Sequence, residues 1–267
     1  MQLIEIFGYI GALFIGLIMG ILGGGGSILA VPILAYIFHF DEKIATAYSL
    51  FIVGSTGLVG GLKQTFNKMV DWKAVLIFGI PAVFGITIVR AFVVPNLPEI
   101  LFNIGTFEFT RRMGMFGLFA VLMLLAASSM LSDKKEKAKQ VKQTGFNPLI
   151  LSEGFFIGGL TGLVGAGGGF LIVPALMVIA QLDMKRASAT SLMIIALNSL
   201  TGFFLGDATQ INIDWNFLAI FVGIAMTGII LGTYLNQLLP VKLLKRTFAY
   251  FIILMAIFIF IEEFIIA

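Results

Sequence analysis

The strongest constraint on this chain is a succession of apolar segments that leaves little polar material to cover a water-facing surface. They run Ile4–Leu22, Ile28–Phe40, Thr46–Leu62, Trp72–Val94 and Met113–Leu131, then Leu149–Val164, Phe170–Gln181, Ala187–Leu205, Trp215–Leu235 and Phe248–Ile261. A hydrocarbon core about 30 Å thick takes roughly 20 helical residues, a length most of these segments approach. Ile28–Phe40 and Phe170–Gln181 fall short of it. Only 12% of the 267 residues are charged, about half the share found in soluble domains. Backbone polar groups in lipid must be satisfied within their own segment, so the chain reads as an all-α polytopic membrane protein. The first run starts without a basic region or a clear cleavage site and is read as a mature span.

One sustained hydrophilic run interrupts the pattern, SDKKEKAKQVKQTGFN at Ser132–Asn147. It divides the chain into a first transmembrane repeat (1–131), a basic linker (132–147) and a second repeat (148–267). The halves resemble each other. GILGGGGSILAVP (Gly20–Pro32) aligns without gaps on GLVGAGGGFLIVP (Gly162–Pro174), and ATAYSL (Ala45–Leu50) then falls on ASATSL (Ala187–Leu192). Asp71–Trp72 meets Asp214–Trp215 one inserted residue later, and Leu97–Pro98 meets Leu239–Pro240. Four matches in order indicate duplication.

Each repeat places a glycine cluster where a membrane helix is otherwise required, GGGGS at Gly23–Ser27 and GAGGG at Gly165–Gly169. Interior glycine costs a helix about 1 kcal/mol relative to alanine. Freed backbone groups cost several kcal/mol each if lipid sees them, so broken membrane helices lie inside protein or line a cavity. Paired breaks at corresponding positions mark the substrate site of secondary transporters. Helix starts near Ser27 and Gly169 would present free N–H groups and partial positive charge, which suits a small anion. Pro32 and Pro174 are expected within the first turns of those helices. Scattered glycines such as Gly79 and Gly117 read as close-packing positions.

Charge sets the expected orientation. If each broken segment enters and returns on one side, Lys63, Lys68, Lys73, the linker lysines, Lys185, Arg186, Lys242, Lys245 and Arg246 share the cytoplasmic side, as the positive-inside tendency requires. Lys43, Arg111 and Arg112 remain outside, with the acidic loop Gly206–Asp214. Each half then has one hairpin plus three crossings. That number is odd, so the two repeats are expected to be inverted relative to each other.

The candidate substrate-binding residues are Gly23, Gly24, Gly25, Gly26 and Ser27 in the first break, and Gly165, Ala166, Gly167, Gly168 and Gly169 in the second. Ser49, Thr190, Ser191 and Asn198 join them. Hydroxyls of the duplicated set Thr46, Tyr48, Ser49 and Ser188, Thr190, Ser191 would equally serve as helix caps. Asn198 lies within a span, where a buried amide needs partners; its first-half counterpart region holds Ser55 and Thr56. Arg90 is expected to snorkel to the interface, or else to guide anions at the outer mouth. His39, Asp41 and Glu42 follow the first short helix and are expected at the surface, with titration in a vestibule as the alternative; Glu108, Glu262 and Glu263 are expected at the interface.

No cysteine and a single histidine exclude thiolate and multi-histidine metal sites. Dinucleotide, phosphate-loop, zinc-protease and serine-hydrolase motifs are absent, which disfavours an intramembrane enzyme, and no cofactor is expected. The net charge of +3 comes from short basic stretches between apolar runs and is no nucleic-acid signature. Expected partners are a small anion and the bilayer; the oligomeric state is open, a homo-oligomer included.

The ordered motif pair GGGGSILAVPIL with ATAYSL, and GAGGGFLIVPAL with ASATSL, resembles the sulfite exporter TauE/SafE family over nearly the whole chain. Tyr48 stands where the second half has Thr190. The resemblance implies a multi-pass carrier of the cytoplasmic membrane that moves small sulfur-containing anions such as sulfite or organosulfonates. A passive anion channel built on the same paired half-helices is the competing reading.

Overall fold

The computed structural model describes residues 3–104, 107–131, 148–165, 167–178 and 180–266. The linker and Ala166 therefore lie outside the described residues. The first half comprises α1 (Leu3–Leu22), α2 (Gly24–Ile37), α3 (Glu42–Phe66), α4 (Trp72–Asn96) and α5 (Arg111–Leu131). The second comprises α6 (Pro148–Val164), α7 (Gly169–Val178), α8 (Met184–Asp207), α9 (Trp215–Leu238) and α10 (Val241–Ile265). Among the described residues α3, α4, α5, α8, α9 and α10 contain stretches long and apolar enough to cross a membrane. The shorter α1–α2 and α6–α7 pairs are the segments that flank the glycine breaks. Large side chains such as Phe84, Phe156 and Leu254 project outward, the surface that lipid requires.

In the first pair α2 folds back along α1. Phe38 packs on Gly8, Ile33 on Gly11, and Gly26 on the backbone of Ile15 and Met19. This antiparallel register is the expected hairpin. Pro32 and Pro174 sit deeper than expected, inside their helices. Pro32 withdraws the donor that would otherwise meet the Ile28 carbonyl, and the helix continues as a π-helical stretch at Ile33–Ile37.

Glycines govern how the halves join. Gly16 and Gly20 of α1 lie against Ala225, Ile229 and Gly232–Thr233 of α9, and Gly228 and Gly232 against Leu13 and Leu17. The equivalent pair is α6 on α4, with Gly154 on Phe78, Gly158 on Ala82 and Gly162 on Ile86 and Val89. Small residues four apart let backbones approach where lipid supplies no hydrophobic drive. At the centre α3 and α8 pack antiparallel, Gly54 on Leu200, Gly57 on Ala196 and Gly61 on Met193. These two are the most enclosed spans, each 72% buried over its apolar stretch.

The duplicated Asp-Trp dipeptides are helix starts. Asp71 accepts from the Ala74 N–H, and Asp214 from the Phe217 N–H, each at 3.0 Å. An element absent from the expected set is the antiparallel hairpin β1 (Ile100–Ile104) and β2 (Phe107–Thr110) between α4 and α5. Alternating Ile and Phe favour it, and Phe102 stacks on Phe109 at 4.6 Å.

Candidate functional site

The two glycine breaks meet. Gly24 and Gly169 press backbone to backbone so closely that a Cβ on either would overlap the other. In the first break Gly23 takes φ +75°, a left-handed conformation open to glycine, before a short 3₁₀ turn at Gly24–Gly26. Ser27 then starts the α-helical part and donates its hydroxyl to the Gly24 carbonyl at 2.6 Å. In the second break Gly165, Gly167 and Gly168 all take positive φ before α7 begins at Gly169.

Each tip reaches the first turns of the other half's central helix. Gly23 packs on Ser188 of α8, and Gly165 on Thr46 of α3. Because α3 and α8 are antiparallel, those contacts lie at opposite ends of the central pair. Gly167 faces Val53 and Ser199.

Around this junction lie buried polar atoms without a protein hydrogen-bond partner: Ser49 Oγ, Thr56 Oγ1, both amide atoms of Asn198, and Ser199 Oγ. All four residues are fully buried. Ser49 and Thr56 stand two helical turns apart on one face of α3; Ser191 and Asn198 do the same on α8. In the gapless repeat alignment Thr56 corresponds to Asn198, and the α3–α8 register sets them at the same level. An orphaned buried polar group costs about 1–3 kcal/mol, so a cluster of them calls for a ligand or solvent. Thr56 and Ser199 are absent from the sequence-based set. The alignment with Asn198 signals Thr56, and nothing in the sequence separates Ser199 from other span hydroxyls.

Other candidates have structural partners. Thr190 accepts from the Asp71 N–H at 3.0 Å, and Tyr48 accepts from the Asp214 N–H at 2.7 Å. These positions correspond between repeats, so a phenol and a threonine hydroxyl close the same loop. Ser191 donates to the Ser188 carbonyl at 2.8 Å. None of these hydroxyls caps α3 or α8, whose first turns follow Asp41 and Asp183.

Four charge assignments need correction. Arg90 does not snorkel: it is fully buried, with Nη1 donating to Thr46 Oγ1 and Asp207 Oδ1, each at 3.2 Å. Asp207 belongs to the end of α8, not to the acidic loop. Glu42 is 7% exposed and pairs with Arg111. Glu263 is 1% exposed, taking Arg112 Nε at 2.9 Å and the Tyr36 hydroxyl at 2.8 Å. Buried carboxylates are kept by such partners. His39 and Asp41 are exposed as expected. At Asp41, a hydrogen bond to neighbouring Glu42, then burial, raises the carboxyl above its ordinary value.

The family model described as sulfite exporter TauE/SafE matches residues 9–259. A probable membrane transporter protein of Bacillus subtilis, YunE, is 30% identical over 86% of this chain and 88% of its own length. One from Methanocaldococcus jannaschii is 31% identical over 71% and 69%, and one from Xylella fastidiosa 27% identical over 92% and 90%. No solved structure matches. The chain is a multi-pass membrane transporter and belongs to the TauE/SafE sulfite exporter family.

Proposed function

We propose that this protein is a secondary transporter, not an enzyme, that moves small sulfur-containing oxyanions such as sulfite or organosulfonates across the cytoplasmic membrane. The substrate is held between the two glycine breaks, against the starts of α2 and α7 and the orphaned hydroxyl and amide groups of Ser49, Thr56, Asn198 and Ser199. The observation that carries this reading is the approach of Gly24 to Gly169. It brings two helix N-termini, each with free N–H groups and partial positive charge, to one place without a net cation there. Such a cradle binds an anion weakly enough to release it.

The antiparallel α3–α8 register and the crosswise α1–α9 and α6–α4 pairs support inverted repeats, related by an axis lying in the membrane plane. With the linker cytoplasmic, the Arg90–Asp207 end faces outward. Alternate rocking of the two hairpins, whose tips touch opposite ends of the central pair, would open the site to each side in turn. Packed tips suit this cycle better than an open pore. The membrane potential then drives anion export.

Proteoliposome flux of labelled sulfite tests the reading. Wild-type protein is expected to carry it, and a Gly25→Leu/Gly167→Leu double variant to lose at least about tenfold in rate, since leucine at 25 displaces the first break against Phe248 and leucine at 167 fills the space before Val53 and Ser199. Equal flux in the two proteins would remove the breaks from the site.

A further inference from the structure

Arg90 is hydrogen-bonded unlike a residue whose only duty is structural. Its guanidinium is fully buried, yet both bonds leave from Nη1. Nε and Nη2, the two nitrogens of its side-on edge, are buried and have no partner. Asp207 likewise engages one oxygen and leaves Oδ2 unpartnered. A buried pair that served the fold alone would gain from the parallel two-point geometry available to arginine and carboxylate. Here each partner withholds half of its capacity. The vacant Nη2 lies at the second glycine break, where a Cβ on Gly165 would strike it, and Gly206 packs on the Arg90 Cβ so closely that a side chain there would overlap it.

The duplication isolates what is special at this corner. Helix contacts match Ile86 with Ile229 and Val89 with Gly232, which puts Thr233 in the place of Arg90. Asp207 corresponds to the neutral stretch at Gln64–Thr65. Gly23 and Ser188 there repeat the contact of Gly165 and Thr46. Of two equivalent corners, one carries a fully buried cation; at the other, Lys63 donates to the Ile230 carbonyl at 2.9 Å in an exposed hydrogen bond.

Resting on the oxyanion-transport reading, we propose that Arg90 is a substrate-binding residue. Its Nε–Nη2 edge takes two oxygens of the tetrahedral or pyramidal oxyanion beside Gly165, while Asp207 is a built-in competitor that occupies the guanidinium when substrate is absent. Planar two-point donation fits sulfite, sulfate or a sulfonate head group and gives no comparable match to chloride. Exchange between Asp207 and substrate keeps the buried arginine compensated through the cycle, so the cation need never stand alone in a low dielectric.

The test is ligand-dependent melting of the purified full-length protein, at matched ionic strength, with sodium sulfite, sodium sulfate or sodium chloride. Asp207→Asn removes the competitor. It is expected to respond to sulfite at a concentration at least about tenfold lower than wild type and to recover melting temperature as the oxyanion rises. Arg90→Gln/Asp207→Asn removes both charges without leaving one uncompensated, and is expected to fold and to show no oxyanion response. Stabilisation of the double variant equal to that of Asp207→Asn, or a chloride response matching sulfite in Asp207→Asn, would overturn the assignment. Unchanged sulfite sensitivity in Asp207→Asn would overturn Asp207 as competitor. Labelled-sulfite flux on the same proteins separates the two readings: an Arg90-dependent melting response without flux in wild type would contradict the transport reading and leave the binding assignment standing.

Discussion

The two glycine breaks are copies of one motif with different backbones and different neighbours. The first bends at a single left-handed glycine, Gly23, and runs on through a 3₁₀ turn into α2. The second places Gly165, Gly167 and Gly168 in left-handed conformations before α7 starts. The first tip rests on the neutral Ser188, with Thr233 at the corner, whereas the second rests on Thr46 beside the buried Arg90–Asp207 pair. Duplication preserved the crossing and let the two ends diverge in charge. A transporter with chemically identical ends would bind its anion equally at either; among the described residues the fully buried Arg90 stands at one end, while at the other Lys63 donates to the Ile230 carbonyl in an exposed hydrogen bond.

That difference predicts the largest stability effect. Arg90→Gln leaves Asp207 buried without its counter-charge and should cost about 3–5 kcal/mol. Thr233→Val, at the matching corner, should cost less than about 1.5 kcal/mol, because it removes one hydroxyl bond to the Ile230 carbonyl. Thermal melts of the two variants side by side would break the comparison if their losses were equal.

Next come the equivalent polar positions of the central pair. Asn198→Leu and Thr56→Val each remove orphaned buried atoms and should leave stability unchanged or improved. In the transport assay each should lose about tenfold in sulfite flux, equivalent to roughly 1.4 kcal/mol of differential binding. Normal flux in both variants would make these residues bystanders.

Smaller effects distinguish the starts of α3 and α8. Asp183 accepts from the N–H groups of Lys185 and Arg186, so Asp183→Ala should cost about 1 kcal/mol. Asp41, its counterpart, makes no side-chain cap bond and instead bonds to Glu42. Its raised pKa means the folded protein favours the protonated form. That contribution is full below the ordinary aspartate range and is lost as pH rises through the raised value. Melting temperature measured from pH 4 to pH 7 should therefore depend less on pH in Asp41→Asn, whose amide donates to Glu42 throughout. An unchanged profile would contradict that assignment.

Much of this architecture is legible in the residues. Apolar length places the helices of both halves, and the repeated GGGGS and GAGGG clusters mark the two breaks as a pair. Those signals are local or periodic. The β1–β2 hairpin is missed because Ile100–Thr110 lies between the spans ending at Val94 and starting at Met113, and two short strands leave no periodic signal of the length that marks the helices. Arg90 is misread because position along a helix reports depth and not the neighbour across a tertiary contact. Its partner Asp207 comes from the other half of the chain. Glu263 with Arg112 also joins the two halves, and Glu42 with Arg111 joins distant helices of one half. Thr190 and Tyr48 show the converse, since hydroxyls that look available for a ligand close loops through the Asp71 and Asp214 N–H groups.

The central claim is that an oxyanion sits where the two breaks meet. Selenite replaces sulfite with a heavier atom of the same geometry, and selenium scatters anomalously. In crystals of the protein grown with selenite, the account predicts an anomalous peak at the Gly24–Gly169 junction, within hydrogen-bonding distance of the α2 and α7 N-termini or the Arg90 Nε–Nη2 edge. Saturating selenite that gives a peak only elsewhere, or none, would contradict it.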